Sequence, residues 1–382
     1  MSLPEPSQDA RAHSARVVDH IRADIEAAGG WIPFARYMEL ALYAPGLGYY
    51  MAGARKLGRD GDFVTAPEIS DLFGQTLAAQ VRQVLEAGDD EVLEVGAGSG
   101  ALAATLLAEL ERLGALPSRY LILELSPDLR ARSRDTLAAR VPHLLERVAW
   151  LNQLPPRFAG CVIGNEVLDA MPVHVVSRDG DALHEQGVVA NGTSLHWDVR
   201  ALSATLRDAL DPTYLPGTAY ATEIQLAARA FIRAIAHMLE RGVALFVDYG
   251  FPQHEYYHAQ RARGTLMCHY RHRAHDDPFF LPGLQDITSH IDFTAMARAA
   301  ADSGAAVLGY TTQAQFLINC GIAQLLARTP AEDARAYAPL AAQVGRLTSP
   351  AEMGELFKVF AFGRAAPRAL IGFLTGDKRH TL

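Results

Sequence analysis

The sequence predicts an α/β fold built on a doubly wound parallel sheet. Three observations lead there. Short, nearly continuous apolar runs recur at 91–95, 120–123, 147–150, 161–163 and 243–247, the look of strands buried on both faces. Helical stretches at 102–113, 127–139 and 223–240 lie between them. The first apolar run also leads through three alternating glycines, Gly96, Gly98 and Gly100, straight into a helix. Right-handed crossovers then set the loops after the strands along one sheet edge, where such folds bind ligands.

The flanks follow from local pattern. Residues 10–28 read as a helix closed by Gly29-Gly30, and 34–42 as a second. A long aromatic and glycine-rich loop comes next, of a length that is commonly functional. Residues 70–87 read as the helix that feeds the glycine strand. Two insertions interrupt the alternation. Residues 173–199 alternate around Asp179-Gly180 and Asn191-Gly192, a hairpin signal. Residues 253–292 are rich in His, Arg and aromatics and are expected to be mostly irregular. Residues 293–303 read as a helix, 305–310 as a strand, 313–347 as mainly helical, 356–362 as a last strand and 370–373 as a short final run. The expected division is an N-terminal lobe over 1–75 and a sheet domain over 76–382, with insertions at 173–199, 253–292 and 313–347.

Composition narrows the class. The chain has 382 residues, 49% apolar and 20% charged, as ordinary soluble proteins do. A net charge of -8 argues against broad nucleic-acid binding, which needs a basic face. Cys161, Cys268 and Cys320 are too few and scattered for a disulfide framework, so a reducing compartment is expected. No apolar run approaches the roughly 18 residues of a membrane span. The N-terminus lacks an apolar signal core and carries Glu5 and Asp9, so the cytoplasm is the expected location.

The turn from Glu94 to Gly100 reads E-x-G-x-G-x-G and invites a nucleotide-like ligand. A nicotinamide dinucleotide is one reading, because Gly96, Gly98 and Ala101 satisfy G-x-G-x-x-A. Three features favour S-adenosylmethionine instead. The last glycine falls one residue early, Glu94 would crowd a pyrophosphate, and the loop has no Lys or Arg. The donor's carboxylate can face the helix N-terminus at Ala101, and its ammonium can face carbonyls or Glu94. The expected donor site is therefore Glu94, Gly96, Ala97, Gly98 and Gly100, with Glu124 at the tip of the second strand for the ribose hydroxyls and Leu125 beside it. Asn152, ending the third strand, could meet the adenine edge, and Asn165 ends the fourth after Gly164, whose bare backbone would let the ligand approach closely.

Glu166 and Asp169 are the catalytic candidates. Three residues apart, they would share one side of a helical turn, grip a guanidinium through parallel hydrogen bonds and take the proton released on alkylation. Asp248 and Tyr249, ending the fifth strand, would line a substrate pocket, with Asp62, Phe63, Asp286 and His290 contributed by loops. A metal is not expected around His269, His272 and His275, since Arg271 and Arg273 sit among them.

By these residues the chain resembles the MidA-like class I S-adenosylmethionine-dependent methyltransferases. The matching segments run in order from Phe34 to Gly363: GDFVTAPEIS with FGQ at 61–75, EVGAGSG, LELSPDLR, GNEVLDAMPV, VDYGF, the run from GTL to QDITSHIDF, and SPAEMGELFKV at 349–359. The glycine turn is generic to class I enzymes; GDF and QDITSHIDF narrow the family. The resemblance implies a seven-stranded class I (Rossmann-like) sheet with an N-terminal lobe, a hairpin insertion and a helical insertion. The mitochondrial members are complex I assembly factors, described as protein arginine methyltransferases that form symmetric dimethylarginine. It thus implies a methyltransferase acting on protein arginine, with a respiratory-complex subunit as a candidate partner; a homodimer is an admissible state that the resemblance does not decide. Two other readings stay open: a donor-binding assembly or scaffold factor with little turnover, and an NAD(P)-dependent oxidoreductase.

Overall fold

The computed structural model describes residues 3–52, 65–88, 90–367 and 369–382. The expected pocket residues Asp62 and Phe63 lie outside them. The chain divides into two compact units made of interleaved segments. One comprises 1–63, 168–230 and 251–292; the other comprises 64–167, 231–250 and 293–382.

The second unit holds the sheet that the apolar runs predict. Its strands are β1 (Glu91–Val95), β2 (Arg119–Leu123), β3 (Val148–Leu151), β4 (Phe158–Asn165), β5 (Leu239–Phe251), β6 (Ala306–Thr312) and β7 (Phe357–Arg364). They run in the order β3-β2-β1-β4-β5-β7-β6. Neighbours from β3 to β5 are parallel, whereas β7 is antiparallel to both β5 and β6, so the sheet is mixed. The chain builds outward from β1 to β3 and then returns to lay β4 on the other side of β1. That reversal is a topological switch point, where α/β sheets open a ligand crevice. Val95 pairs with Gly164 there, so the loops after β1 and β4 leave the sheet side by side.

The central strands are apolar because both faces are covered. Val92, Leu93, Cys161, Val162, Ile163, Val243, Ala244 and Leu245 have no exposed surface. Helices Asp71–Glu86, Ala101–Arg112 and Pro127–Arg140 supply Leu77, Val81, Leu106, Leu110 and Leu137 to the same core. Their starts are encoded locally. Ser70 accepts from the Leu72 amide at 3.2 Å, and Ser126 accepts from the Leu129 amide ahead of a proline in the first turn. Gly100 opens Ala101–Arg112 in the left-handed region, at φ 81°.

The first unit is antiparallel. Its larger sheet runs Ile32–Pro33, Ala182–Asn191, His174–Asp179, Ala219–Ile224, with Ser194–Ala201 also paired to Ala182–Asn191. The hairpins expected over 173–199 are present, but they belong to this larger sheet. Ile32 and Pro33 pair with Val188 and Gly187, which ties the N-terminal segment to that insertion. Segments that the sequence assigns to a lobe and to two insertions thus pack together. The helix expected over 223–240 spans Leu226–Met238, because 219–224 alternates with Tyr220, Thr222 and Ile224 buried and forms a strand. Residues 253–292 are less irregular than expected. Met267–Tyr270, Arg273–His275 and Asp286–Thr288 form a three-stranded antiparallel sheet. Among the described residues no helix is long and apolar enough to cross a membrane.

A Cβ at Gly100 would sit 2.8 Å from the Ser133 Cα, a backbone atom that cannot swing aside. Gly100→Ala should therefore lower stability by about 1–3 kcal/mol, from left-handed strain plus overlap. A urea denaturation midpoint unchanged by the substitution would contradict this packing.

Candidate donor and acceptor residues

The loop after β1 is shaped by left-handed backbone. Gly96, Gly98 and Gly100 have φ of 68°, 54° and 81°, a run that side chains with a Cβ rarely adopt. The Gly96 amide donates to the Leu123 carbonyl at 2.9 Å, and the Gly100 amide to the Ala97 carbonyl at 2.8 Å. Glu124 closes the arrangement from β2. Its two carboxylate oxygens accept from the Gly98 amide at 3.0 Å and the Ser126 amide at 2.9 Å. One acid side chain thus joins the turn after β1 to the turn after β2.

Glu94 lies deeper than the sequence suggests. It is 2% exposed, and its carboxylate accepts from the Tyr120 hydroxyl on β2. Burial pushes the Glu94 carboxyl up to about 7; the Tyr120 bond opposes that shift and the Glu124 charge adds to it. Ala97 is buried in the core, while Leu125 is 63% exposed. Asn152 is exposed, with Oδ1 accepting from Arg130 at 2.6 Å. The same guanidinium donates to the Trp150 carbonyl at 2.9 Å, and the Trp150 ring donates to Ser133 at 3.0 Å. The end of β3 is thereby fastened to helix Pro127–Arg140.

At the end of β4, Asn165 donates to the Glu166 carboxylate at 3.0 Å, and its own Oδ1 is buried without a hydrogen-bond partner. Glu166 stands at φ 53° with its amide donating to the Val247 carbonyl at 2.8 Å. A non-glycine residue held in that region stores strain, which clusters at functional sites. Two expectations are corrected here. Gly164 is small for packing: a Cβ would meet the Phe246 ring at 2.7 Å. Glu166 and Asp169 also do not share a helical turn, because residues 166–171 form a bend and turn with Glu166 left-handed. The premise fails because the helical spacing rule presumes right-handed backbone throughout.

Asp248 is buried on β5 beside Lys358 of β7, and its carboxylate accepts from the Tyr249 amide at 3.0 Å. Tyr249 packs edge-on against Phe357, with ring centroids 5.4 Å apart. The remaining expected residues lie in the first unit. Asp169 is buried, and its carbonyl accepts from the Ser289 amide at 3.0 Å. Asp286 accepts from the Tyr50 hydroxyl at 2.8 Å. The His290 amide donates to Thr265 Oγ1 at 3.0 Å, and its ring lies 5.3 Å from that of Phe251.

Two carboxylates escaped the sequence reading. Glu68 accepts from the hydroxyl of Ser99, inside the glycine turn. Its signal was present in the TAPEIS segment, but nothing local pairs it with a loop 31 residues later. Glu223, 1% exposed, accepts from the Thr265 and Leu266 amides and from the Thr265 and Tyr256 hydroxyls at 2.8–3.2 Å. Among the described residues no cluster of His, Cys, Asp and Glu could hold a metal ion.

This chemistry suits a donor with hydroxyls and an ammonium. The turn presents bare backbone, carboxylates and an orphaned buried amide oxygen, and its own residues from Glu94 to Gly100 include no Lys or Arg for a pyrophosphate. The fold and this arrangement define the class: an α/β methyltransferase. The comparisons agree. Residues 72–311 match the family described as "Putative S-adenosyl-L-methionine-dependent methyltransferase", and the chain belongs to that family. S-adenosylmethionine is its cofactor. A crystal structure of a Burkholderia thailandensis protein bound to S-adenosyl-homocysteine is 52% identical, with 100% of each chain covered and a TM-score of 0.96. The chain is also 29% identical to the Drosophila melanogaster protein arginine methyltransferase NDUFAF7 homolog, mitochondrial, over 94% of this chain and 87% of that one. It is 29% identical to the Mus musculus protein arginine methyltransferase NDUFAF7, mitochondrial, over 90% and 83%.

Glu94 binds its proton more tightly folded, at about 7, than its ordinary value of 4.5. Its stabilising contribution is therefore complete below pH 4.5 and is lost as pH rises through 7. Glu94→Gln keeps an acceptor for Tyr120 without the charge. The variant should gain stability relative to the parent between those limits, the gain levelling off above pH 7 at about 1–3 kcal/mol. Parallel pH dependences of urea unfolding would refute it.

Proposed function

We propose that this chain transfers the methyl group of S-adenosylmethionine to an arginine side chain of a protein. The observation that carries the reading is Glu166, held at φ 53° at the switch point beside Asn165. The names of the relatives supply the acceptor class, and the strand path β3-β2-β1-β4-β5-β7-β6 supports taking the sheet as the seven-stranded class I form. The cofactor, when bound, supplies an electrophilic methyl on a sulfonium. Glu124 holds the ribose and the glycine turn admits the methionine end. Glu166 grips the guanidinium and orients one nitrogen for in-line attack, so catalysis is mainly positioning. A guanidinium has a pKa above about 12, so its proton leaves during or after methylation, with Glu166 as the receiving carboxylate. The three buried free cysteines favour a reducing compartment, and we place the protein in the cytoplasm.

Tritiated donor, incubated with the purified protein and extract from cells lacking it, should label methylarginine in acid hydrolysates. Glu166→Gln should lower that labelling more than about 100-fold and leave S-adenosyl-homocysteine affinity within about threefold. Label recovered in another amino acid would overturn the arginine assignment. Equal loss of affinity would move Glu166 to the donor site. In a thermal-shift comparison, S-adenosyl-homocysteine should raise the melting temperature and NAD should not; the reverse would restore the oxidoreductase reading.

A further inference from the structure

We infer that Glu68 belongs to the donor site, where its carboxylate takes the ammonium at the methionine end of the bound cofactor. The inference rests on the donor reading above and adds a residue upstream of the sheet. Glu68 sits on the four-residue helix Ala66–Ile69. Ala66 and Ile69, on either side of it, are buried in the core that also contains Ala97. These anchors fix where the side chain emerges. It emerges at the glycine turn, since its carboxylate accepts from the Ser99 hydroxyl between Gly98 and Gly100. Ser99 Oγ in turn accepts from the Ala101 amide at 3.3 Å, so the contact reaches the first residue of the following helix.

The ammonium end of the donor needs a partner. An ammonium drawn out of water requires a charged or strongly hydrogen-bonding partner. Glu94, the acid that the sequence places nearest the turn, lies beneath it at 2% exposure with Tyr120 on its carboxylate. Glu124 is joined to the Gly98 and Ser126 amides on the β2 side. Glu68 meets the turn at Ser99 and is partly exposed. The neighbouring turn after β4 supplies a second acceptor: Asn165 Oδ1 is buried with no partner, one residue beyond the Val95–Gly164 pair. For holding Ser99 alone a glutamine would serve as well, because only an acceptor is needed. A negative charge is required only if the ligand is a cation.

The test compares two ligands. S-adenosyl-homocysteine carries the ammonium; 5′-methylthioadenosine has the same adenosine and thioether but no amino-acid end. Glu68→Gln keeps the acceptor for Ser99 and removes the charge. By isothermal titration calorimetry, this variant should bind S-adenosyl-homocysteine about 10- to 100-fold more weakly than the parent. It should bind 5′-methylthioadenosine within about twofold, which also shows that it is folded. Equal weakening for both ligands would make Glu68 a support of the turn only and overturn the inference. So would unchanged affinity for both. A parent chain that binds neither ligand would sink the donor reading itself, a separate failure.

Discussion

The turn between β1 and its helix works because one carboxylate holds it. Glu124 accepts from the Gly98 amide on one side and the Ser126 amide on the other. Without that bridge, a turn with three alternating left-handed glycines would be among the freest segments of the chain. With it, the lip of the crevice is fixed before any ligand arrives. The order of the sheet puts this lip at the switch point, beside the strained Glu166 and the orphaned Asn165 oxygen. Preorganised polar groups of that kind are worth most where charge must be bound or developed away from water.

Electrostatics in the second unit follow one theme. Its buried acids differ in what neutralises them. Glu109 is 4% exposed and structural: Arg112 and Arg328 both pair with it at 2.7–3.2 Å. Despite the cost of burial, those two guanidinium groups hold its carboxyl below the ordinary range. Glu94 has a phenol instead of a cation, and burial raises it. Glu124 is held by backbone amides. Arginine pairing fastens Glu109 in the fold, whereas Glu94 and Glu124 beside the glycine turn accept from a phenol and from backbone amides.

Much of this was legible in the sequence. The five apolar runs, the glycine turn and the position of Glu124 each carry a local signal, and β1 to β5 fall on those runs. What stayed hidden depends on contacts distant in sequence. Ile32 and Pro33 pair with Gly187 and Val188, and nothing near residue 32 announces it. The expected helix over 223–240 takes in the last two residues of the strand Ala219–Ile224, because that strand is short and runs directly into helical residues. Gly164 was read as bare backbone for a ligand, yet Phe246 fills the space its Cβ would need. Glu166 and Asp169 were joined by a spacing rule that the left-handed Glu166 breaks. Each miss comes from tertiary packing overriding a pattern that was locally sound.

The central claim is that Glu124 and the glycine turn hold the sugar and methionine end of S-adenosylmethionine. A crystal structure of this chain grown with S-adenosyl-homocysteine tests it most directly. The account predicts both ribose hydroxyls on the Glu124 carboxylate and the amino-acid end against Gly96–Ser99. Density for the ligand elsewhere, or a crevice filled by the protein's own side chains, would contradict it.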